Sequence, residues 1–282
     1  MAGSDLAHPG SMKRRGSKPP EPEDILAVPR AGRDVPSGVR QDLEIVSRGA
    51  RIPAVLLLPG NVPPVPAALL LHGLGSRKER MIDTVGAALV RRSIAALAVD
   101  LPLHGARQGG REDLGRMSPM QLLGSWSDAV AEARTSMDFL AAHDSIDASR
   151  IAIVGYSLGS FLANTVAADH PEVRAIVLAA SGDLPRGIPF GPLVRTVVDP
   201  IRSIRSIAGR PLLMVNGRSD RTVTPAQAAA LHAAAGEPKT IHWYEGGHWP
   251  PQRDIEFACD WLATQLQAAD ARRSRTRASS AS

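Results

Sequence analysis

The stretch Arg150-Ile151-Ala152-Ile153-Val154-Gly155-Tyr156-Ser157-Leu158-Gly159-Ser160-Phe161 limits what this chain can fold into more than any other. Its first half alternates β-branched residues with alanine, the pattern of a buried strand. Its second half fits G-x-S-x-G, with Gly155 and Gly159 flanking Ser157. An apolar run with helical spacing follows through Phe161, Leu162, Thr165 and Val166. Strand, tight turn and helix therefore meet at Ser157, the context in which this motif has meaning. A serine at such an elbow sits in strained backbone with its hydroxyl presented at the end of the sheet. Side chains two residues before and after it would collide with the neighbouring strand and helix, and glycine carries none. The helix starts at the serine, so its N–H groups and positive dipole end face any negative charge formed there. The simpler reading is a serine that only caps a helix; the strand before it and the helix after it favour a nucleophile.

With 282 residues the chain can hold one large α/β domain or two small ones, and 44% hydrophobic residues supply a sizeable core. The single cysteine, Cys259, excludes an intramolecular disulfide framework and any cysteine-based zinc cluster; on an apolar helical face it reads as core. The net charge of +5 comes from the ends. Residues 1–40 hold seven Lys/Arg against five Asp/Glu, and residues 268–282 hold four Arg against one Asp. Taking these from the totals of 33 and 28 leaves 22 of each sign for residues 41–267. A nucleic-acid reader needs a basic face on the folded part, so nucleic acid is not an expected partner. Residues Met1 to Lys18 contain no apolar core of a secretory signal, and no apolar run approaches the roughly 18 residues that span a bilayer. The expectation is a cytoplasmic protein without a membrane partner.

Residues 1–37 are rich in Pro, Gly, Ser and charge and read as a disordered N-terminal arm. Val39–Val46 and Ile52–Leu58 are candidate strands joined by a hairpin-like turn. Further strands are expected at Ala67–Leu71, Ile94–Val99, the elbow strand, Val173–Ala179, Pro211–Val215 and Thr240–Tyr244. Helices are expected over Met81–Arg92, from a start at Ser118-Pro119, over Trp126–His143, after Ser157, over Pro225–Ala235 and over Ile255–Ala268. Residues 107–117 form a polar, glycine-rich loop, long enough to be functional. Residues 181–208 hold four prolines and read as irregular, a candidate small cap. Residues 269–282, rich in Arg and Ser, read as a disordered basic tail. One α/β domain over residues 38–268 remains, with a mostly parallel central sheet, helices on both faces, and ligands at the carboxyl ends of the strands.

Four special loops follow four of these strands: His72-Gly73, Ser157, Asp220 and His248. A hydroxyl is a poor nucleophile and needs a base, and the base needs a partner that holds its tautomer. His248 follows Gly246-Gly247 and is the candidate base; Asp220, on the loop after the preceding strand, is the candidate orienting acid. Singly, a surface histidine and a turn-capping aspartate would be the simpler readings. Jointly, in the order Ser, Asp, His, they favour a catalytic set. Asp183, after the strand that follows the elbow, is the rival acid. The chemistry also requires backbone donors for an oxyanion. The candidates are the N–H groups of Leu158 and of Leu74, in the loop where Gly73 and Gly75 let the backbone turn inward. His72 would brace that loop. His104, Arg107 and Trp249 are pocket candidates.

His72-Gly73-Leu74-Gly75-Ser76, Asp100-Leu101-Pro102-Leu103-His104-Gly105, Gly155-Tyr156-Ser157-Leu158-Gly159, Asn216-Gly217-Arg218-Ser219-Asp220 and Gly246-Gly247-His248 together resemble the α/β-hydrolase superfamily. Within it they are most similar to the dienelactone-hydrolase-like and prolyl-oligopeptidase-like esterase branch. The resemblance spans about residues 40–268 and implies an α/β-hydrolase fold with a small cap or none. It implies a serine hydrolase that needs no metal and no organic cofactor and takes a small-molecule ester as substrate. Dienelactone hydrolases proper carry cysteine at the elbow; Ser157 stands there instead, which favours ester hydrolysis. An aspartate at the elbow would have suggested dehalogenase or epoxide chemistry. Two other readings stay open: a peptidase or amidase of the prolyl-oligopeptidase-like type, and a non-catalytic binding protein on the same scaffold. Oligomeric state is not readable from the residues.

Overall fold

The computed structural model describes residues 25–280 apart from 48, 61–62, 108–116, 186 and 188–190. Three strands open the chain: β1 (Leu26–Val35), β2 (Gly38–Ser47) and β3 (Ala50–Pro59). β4 (Val65–Leu71) leads into α1, one continuous helix of α-helical turns Lys78–Met81 and Ala87–Val90 around a π-helical turn, Ile82–Gly86. β5 (Ala95–Val99), α2 (Pro119–Ala142), β6 (Ile146–Tyr156), α3 (Leu158–Asp169) and β7 (Val173–Ala179) follow. Two short helices, α4 (Gly191–Val197) and α5 (Pro200–Ser206), stand between β7 and β8 (Leu212–Gly217). α6 (Pro225–Ala234), β9 (Lys239–Tyr244) and α7 (Gln252–Ser280) complete the chain.

The strands form one nine-stranded sheet in the order β1-β2-β3-β5-β4-β6-β7-β8-β9. β1, β2, β3 and β5 pair antiparallel, and every pairing from β5 through β9 is parallel. β4 and β5 are apolar along their whole length, as is β6 from Ile151 to Val154, because both faces are covered there. Successive side chains go to opposite sides: Ala67, Leu69, Leu71, Ile151 and Ile153 pack against α2, α3, α5 and α6, while Ala68, Leu70, Ala152 and Val154 pack against α1 and α7.

Helix starts follow the local chemistry. Ser118 caps α2 by accepting from the Gln121 N–H while the Gln121 side chain accepts from the Ser118 N–H, with Pro119 at the first position. Thr224, Pro225 and Gln227 repeat the device at α6.

Two domain boundaries differ from the sequence reading. Residues 26–35 of the expected 1–37 arm are β1, paired with β2 from Leu26↔Val46 to Val35↔Gly38. Its side chains are mostly exposed, so composition hides it; backbone hydrogen bonding attaches it, joined by an ion pair from Arg30 to Glu44. The first 24 residues lie outside the described residues. At the other end α7 continues to Ser280, beyond the expected end at residue 268. Ala and Arg are among the best helix formers, and the last turns of a nucleated helix need no apolar face. The 181–208 segment does contain short helices, with residues 186 and 188–190 outside the described set. Most of the 107–117 loop is likewise outside it. No helix among the described residues is long and apolar enough to cross a membrane.

Candidate active site

Parallel pairing brings the carboxyl ends of β4, β5, β6, β8 and β9 to one edge, and the special loops leave from that edge. Ser157 stands between β6 and α3 with φ 51° and ψ −116°, a conformation that L side chains rarely adopt. Its N–H donates to the Ala179 carbonyl at 2.9 Å, and its own carbonyl accepts from the Ser160 hydroxyl at 2.7 Å and the N–H groups of Ser160 at 2.8 Å and Phe161 at 3.3 Å. The flanking glycines are required by space. A Cβ on Gly155 would lie 2.2 Å from the Gly159 carbonyl oxygen, and one on Gly159 would lie 2.1 Å from that of Leu71.

His248 Nε2 lies 2.8 Å from Ser157 Oγ, and His248 Nδ1 lies 2.7 Å from Asp220 Oδ2. The second contact sets the tautomer. Nδ1–H donates to the carboxylate, so Nε2 keeps its lone pair and accepts from the serine hydroxyl. The Asp220 side chain is fully buried. Its other oxygen accepts from the N–H groups of Thr222 at 2.8 Å and Val223 at 3.0 Å, so the aspartate also caps its own turn. The His248 backbone is tied down as well: the Tyr244 hydroxyl lies 2.8 Å from the Gly247 carbonyl oxygen and 3.2 Å from that of His248. Burial pushes the Tyr244 hydroxyl above the ordinary tyrosine range. The rival acid, Asp183, is elsewhere, held by Arg195 at 3.1 Å.

The loop after β4 meets the elbow directly: a Cβ on Gly73 would sit 3.2 Å from Ser157 Cβ. Leu74 is half exposed and lines the cleft beside His248. Among the described residues its N–H has no hydrogen-bond partner. Leu158 opens α3, so its N–H has no acceptor within the helix. His72 is completely buried; its Nδ1–H donates to the Gly73 carbonyl at 2.8 Å, and its Nε2 accepts from the Leu101 N–H at 3.1 Å. Behind it, the buried Asp100 carboxylate accepts from the Lys78 N–H at 2.8 Å, the Lys78 ammonium at 2.7 Å and the Ala106 N–H at 2.8 Å. Burial acts to lower the Lys78 pKa, but its hydrogen bonds to Asp100 and Glu79 leave it above the ordinary lysine value.

A cleft of about 890 Å³ opens over these loops, lined among others by Leu74, Arg80, Tyr156, His248 and Trp249. Trp249, expected in the pocket, is on its wall. His104 is not: it is 6% exposed, its Nδ1 lies 2.7 Å from the Pro102 carbonyl, and its ring stands 5.2 Å from that of His72. The reason is the turn around it, with Leu103 at φ 64° and Gly105 at φ 60°, which folds the histidine inward and brings Gly105 to the cleft instead. Arg107 is engaged in a two-pronged ion pair with Glu132. Tyr156 and Arg80 escaped the sequence reading. Tyr156 fills an unspecified place in the motif, and Arg80 precedes the apolar run that marked α1. Among the described residues, no group of three or more His, Cys, Asp or Glu could hold a metal ion.

A family model described as the alpha/beta hydrolase family matches residues 68–207, from β4 to the end of the 181–208 segment. The chain belongs to the α/β-hydrolase superfamily. Its nine-stranded sheet and the strand–elbow–helix unit are those of an α/β-hydrolase. The chain is 27% identical over 250 residues to the uncharacterized protein Rv2307c of Mycobacterium tuberculosis, covering 83% of this chain and 78% of that one. Among solved structures, a cold-adapted esterase from an Arctic intertidal metagenomic library, in a PEG-bound complex, superposes with a TM-score of 0.68 at 23% identity, covering 83% of this chain and 97% of that one. Acetyl xylan esterase 1 from Thermoanaerobacterium gives a TM-score of 0.68 at 18% identity, covering 86% and 88%. At these identities the structural likenesses establish the fold.

Proposed function

We propose that this α/β-hydrolase is a serine hydrolase that cleaves carboxylic esters of small molecules through an acyl-Ser157 intermediate. The observation that carries the reading is the unbroken hydrogen-bonded line from Ser157 Oγ through the His248 ring to the buried Asp220 carboxylate. Nε2 takes the hydroxyl proton as Oγ bonds to the substrate carbonyl carbon. Asp220 holds the ring orientation and stabilises the imidazolium that forms. The carbonyl oxygen gains negative charge, for which the N–H groups of Leu74 and Leu158 are the proposed donors, with the α3 dipole adding to them. The imidazolium returns its proton to the departing alcohol as the C–O bond breaks. Water then enters, gives its proton to Nε2 and releases the acid by the same route in reverse. The resemblance of the fold to esterases supports an ester over an amide.

Ser157→Ala is expected to lower hydrolysis of a short-chain p-nitrophenyl ester by about 10³-fold or more. Its thermal melt should stay near that of the parent chain. A fluorophosphonate probe should label the parent and not the variant. Undiminished turnover by a folded Ser157→Ala protein would overturn the proposal.

A further inference from the structure

The mechanism above leaves one wall of the cleft without a task. Arg80, on α1, lays its guanidinium over the indole of Trp249, 3.9 Å from the ring centroid. Trp249 meets Tyr156 edge-on, with centroids 4.5 Å apart, and the Tyr156 ring stands 5.3 Å from that of His248. All four side chains line the same cleft. A run of touching rings, edge-on and tilted, therefore connects a cation to the imidazole that touches Ser157.

The charges nearby are unevenly used. Glu79 is held by the Lys78 ammonium at 2.9 Å and lies 3.8 Å from Arg77. Asp83 reaches Arg40 at 3.4 Å. Both acids of the cleft wall thus have cationic partners outside Arg80. Among the described residues Arg80 has no carboxylate partner, and its guanidinium donates no hydrogen bond. Stacking on an indole restricts a guanidinium to a plane and leaves its N–H edges open for a two-pronged contact with a carboxylate.

We infer that Arg80 is a specificity residue that binds a carboxylate of the substrate, so that half-esters of dicarboxylic acids are preferred over neutral esters of similar length. The inference rests on the serine-esterase reading and narrows its substrate class. Trp249 is the platform that holds the cation, and Tyr156 spaces it from the reacting carbonyl.

The test compares mono-p-nitrophenyl glutarate with p-nitrophenyl valerate on the parent chain, Arg80→Gln and Arg80→Lys. The ratio of kcat/KM, anionic over neutral, should fall about tenfold in Arg80→Gln, mainly through KM. Arg80→Lys should recover part of the ratio, because charge remains while the fork is lost. Salt at about 0.5 M should lower the ratio in the parent and not in Arg80→Gln. An equal ratio in parent and Arg80→Gln would overturn the inference and leave the esterase reading standing. A second arm needs no turnover: monoethyl glutarate is titrated into Ser157→Ala, followed by tryptophan fluorescence, with and without Arg80→Gln. Binding that disappears with Arg80 supports the inference even if no ester is hydrolysed, in which case the esterase reading alone fails. Binding that survives Arg80→Gln, or no binding to Ser157→Ala at all, refutes the inference.

Discussion

The His72 ring is enclosed on every side, and both of its nitrogens are committed, one to the Gly73 carbonyl and one to the Leu101 N–H. Burial is the main cause that pushes its pKa down from 6.5 to about 4; the Gly73 hydrogen bond acts in the opposite direction. An unfolded histidine begins to take up its proton near 6.5, while the folded one resists until about 4. Stability from this residue is therefore complete above the upper value. It is lost as pH falls through the window, by about 3 kcal/mol in total. Urea denaturation between about pH 7 and pH 4.5 should show a steeper loss in the parent chain than in His72→Gln; parallel slopes would reject this assignment. The same ring fixes the carbonyl that precedes the Leu74 N–H, so the bracing role expected from His72-Gly73 has a physical basis in two hydrogen bonds. Asp220 shows how a residue serves two readings at once. Capping of the Thr222 turn, visible in the chain as Asp two residues before Thr, leaves one oxygen free for His248.

The strand–elbow–helix unit is held together by contacts between backbones. Gly159 packs against the Leu71 and His72 carbonyls so closely that a methyl group has no place to go. Gly159→Ala is expected to destabilise the chain by about 3 kcal/mol or more, because the atoms it meets are backbone of the central sheet and cannot rotate away. Equilibrium urea unfolding measures the loss, and a midpoint equal to that of the parent would contradict the packing described. This unit was legible because every part of it is local: alternation, two glycines and helical spacing within one run of residues. β1 and the end of α7 were not legible for the opposite reason. The strand is fixed mainly by a neighbour's backbone, with one ion pair from Arg30 to Glu44 and no apolar alternation of its own. The helix end is an extension of a segment whose apolar face stops earlier.

At the scale of the molecule, the two sides of the sheet are not equally loaded. The loops of Ser157, Asp220 and His248 share an edge, but the cleft wall carrying Arg80 and Trp249 depends on α1 and α7 staying together on one face. Arg92 bridges them, donating to Asp260 at 2.7 Å and to Glu256 at 2.7 Å, and Arg91 donates to Glu256 at 2.6 Å. These groups are partly to largely exposed, so solvent screens them. Arg92→Leu should cost about 1 kcal/mol at low salt and less at high salt. Denaturation midpoints at the two ionic strengths check this; a salt-independent loss would mean that packing of the arginine stem, and not its charge, is what matters.

The amino-acid order alone determined the α/β class, the strands from β2 to β9, the elbow at Ser157 and His248 as its neighbour, because each is written in short-range periodicity or in a loop directly after a strand; the choice of Asp220 over Asp183 was made by the structure. Only the tertiary structure decided which loop residues face the cleft. His104 and Trp249 both follow strand ends, yet one is folded under a turn at Leu103 and the other stands in the wall. It also decided that Arg80 lies across Trp249, residues from opposite ends of the domain. Such outcomes depend on how backbone torsions in irregular segments sum over several residues and on which elements the sheet order brings side by side, and neither is encoded in the spacing of apolar residues.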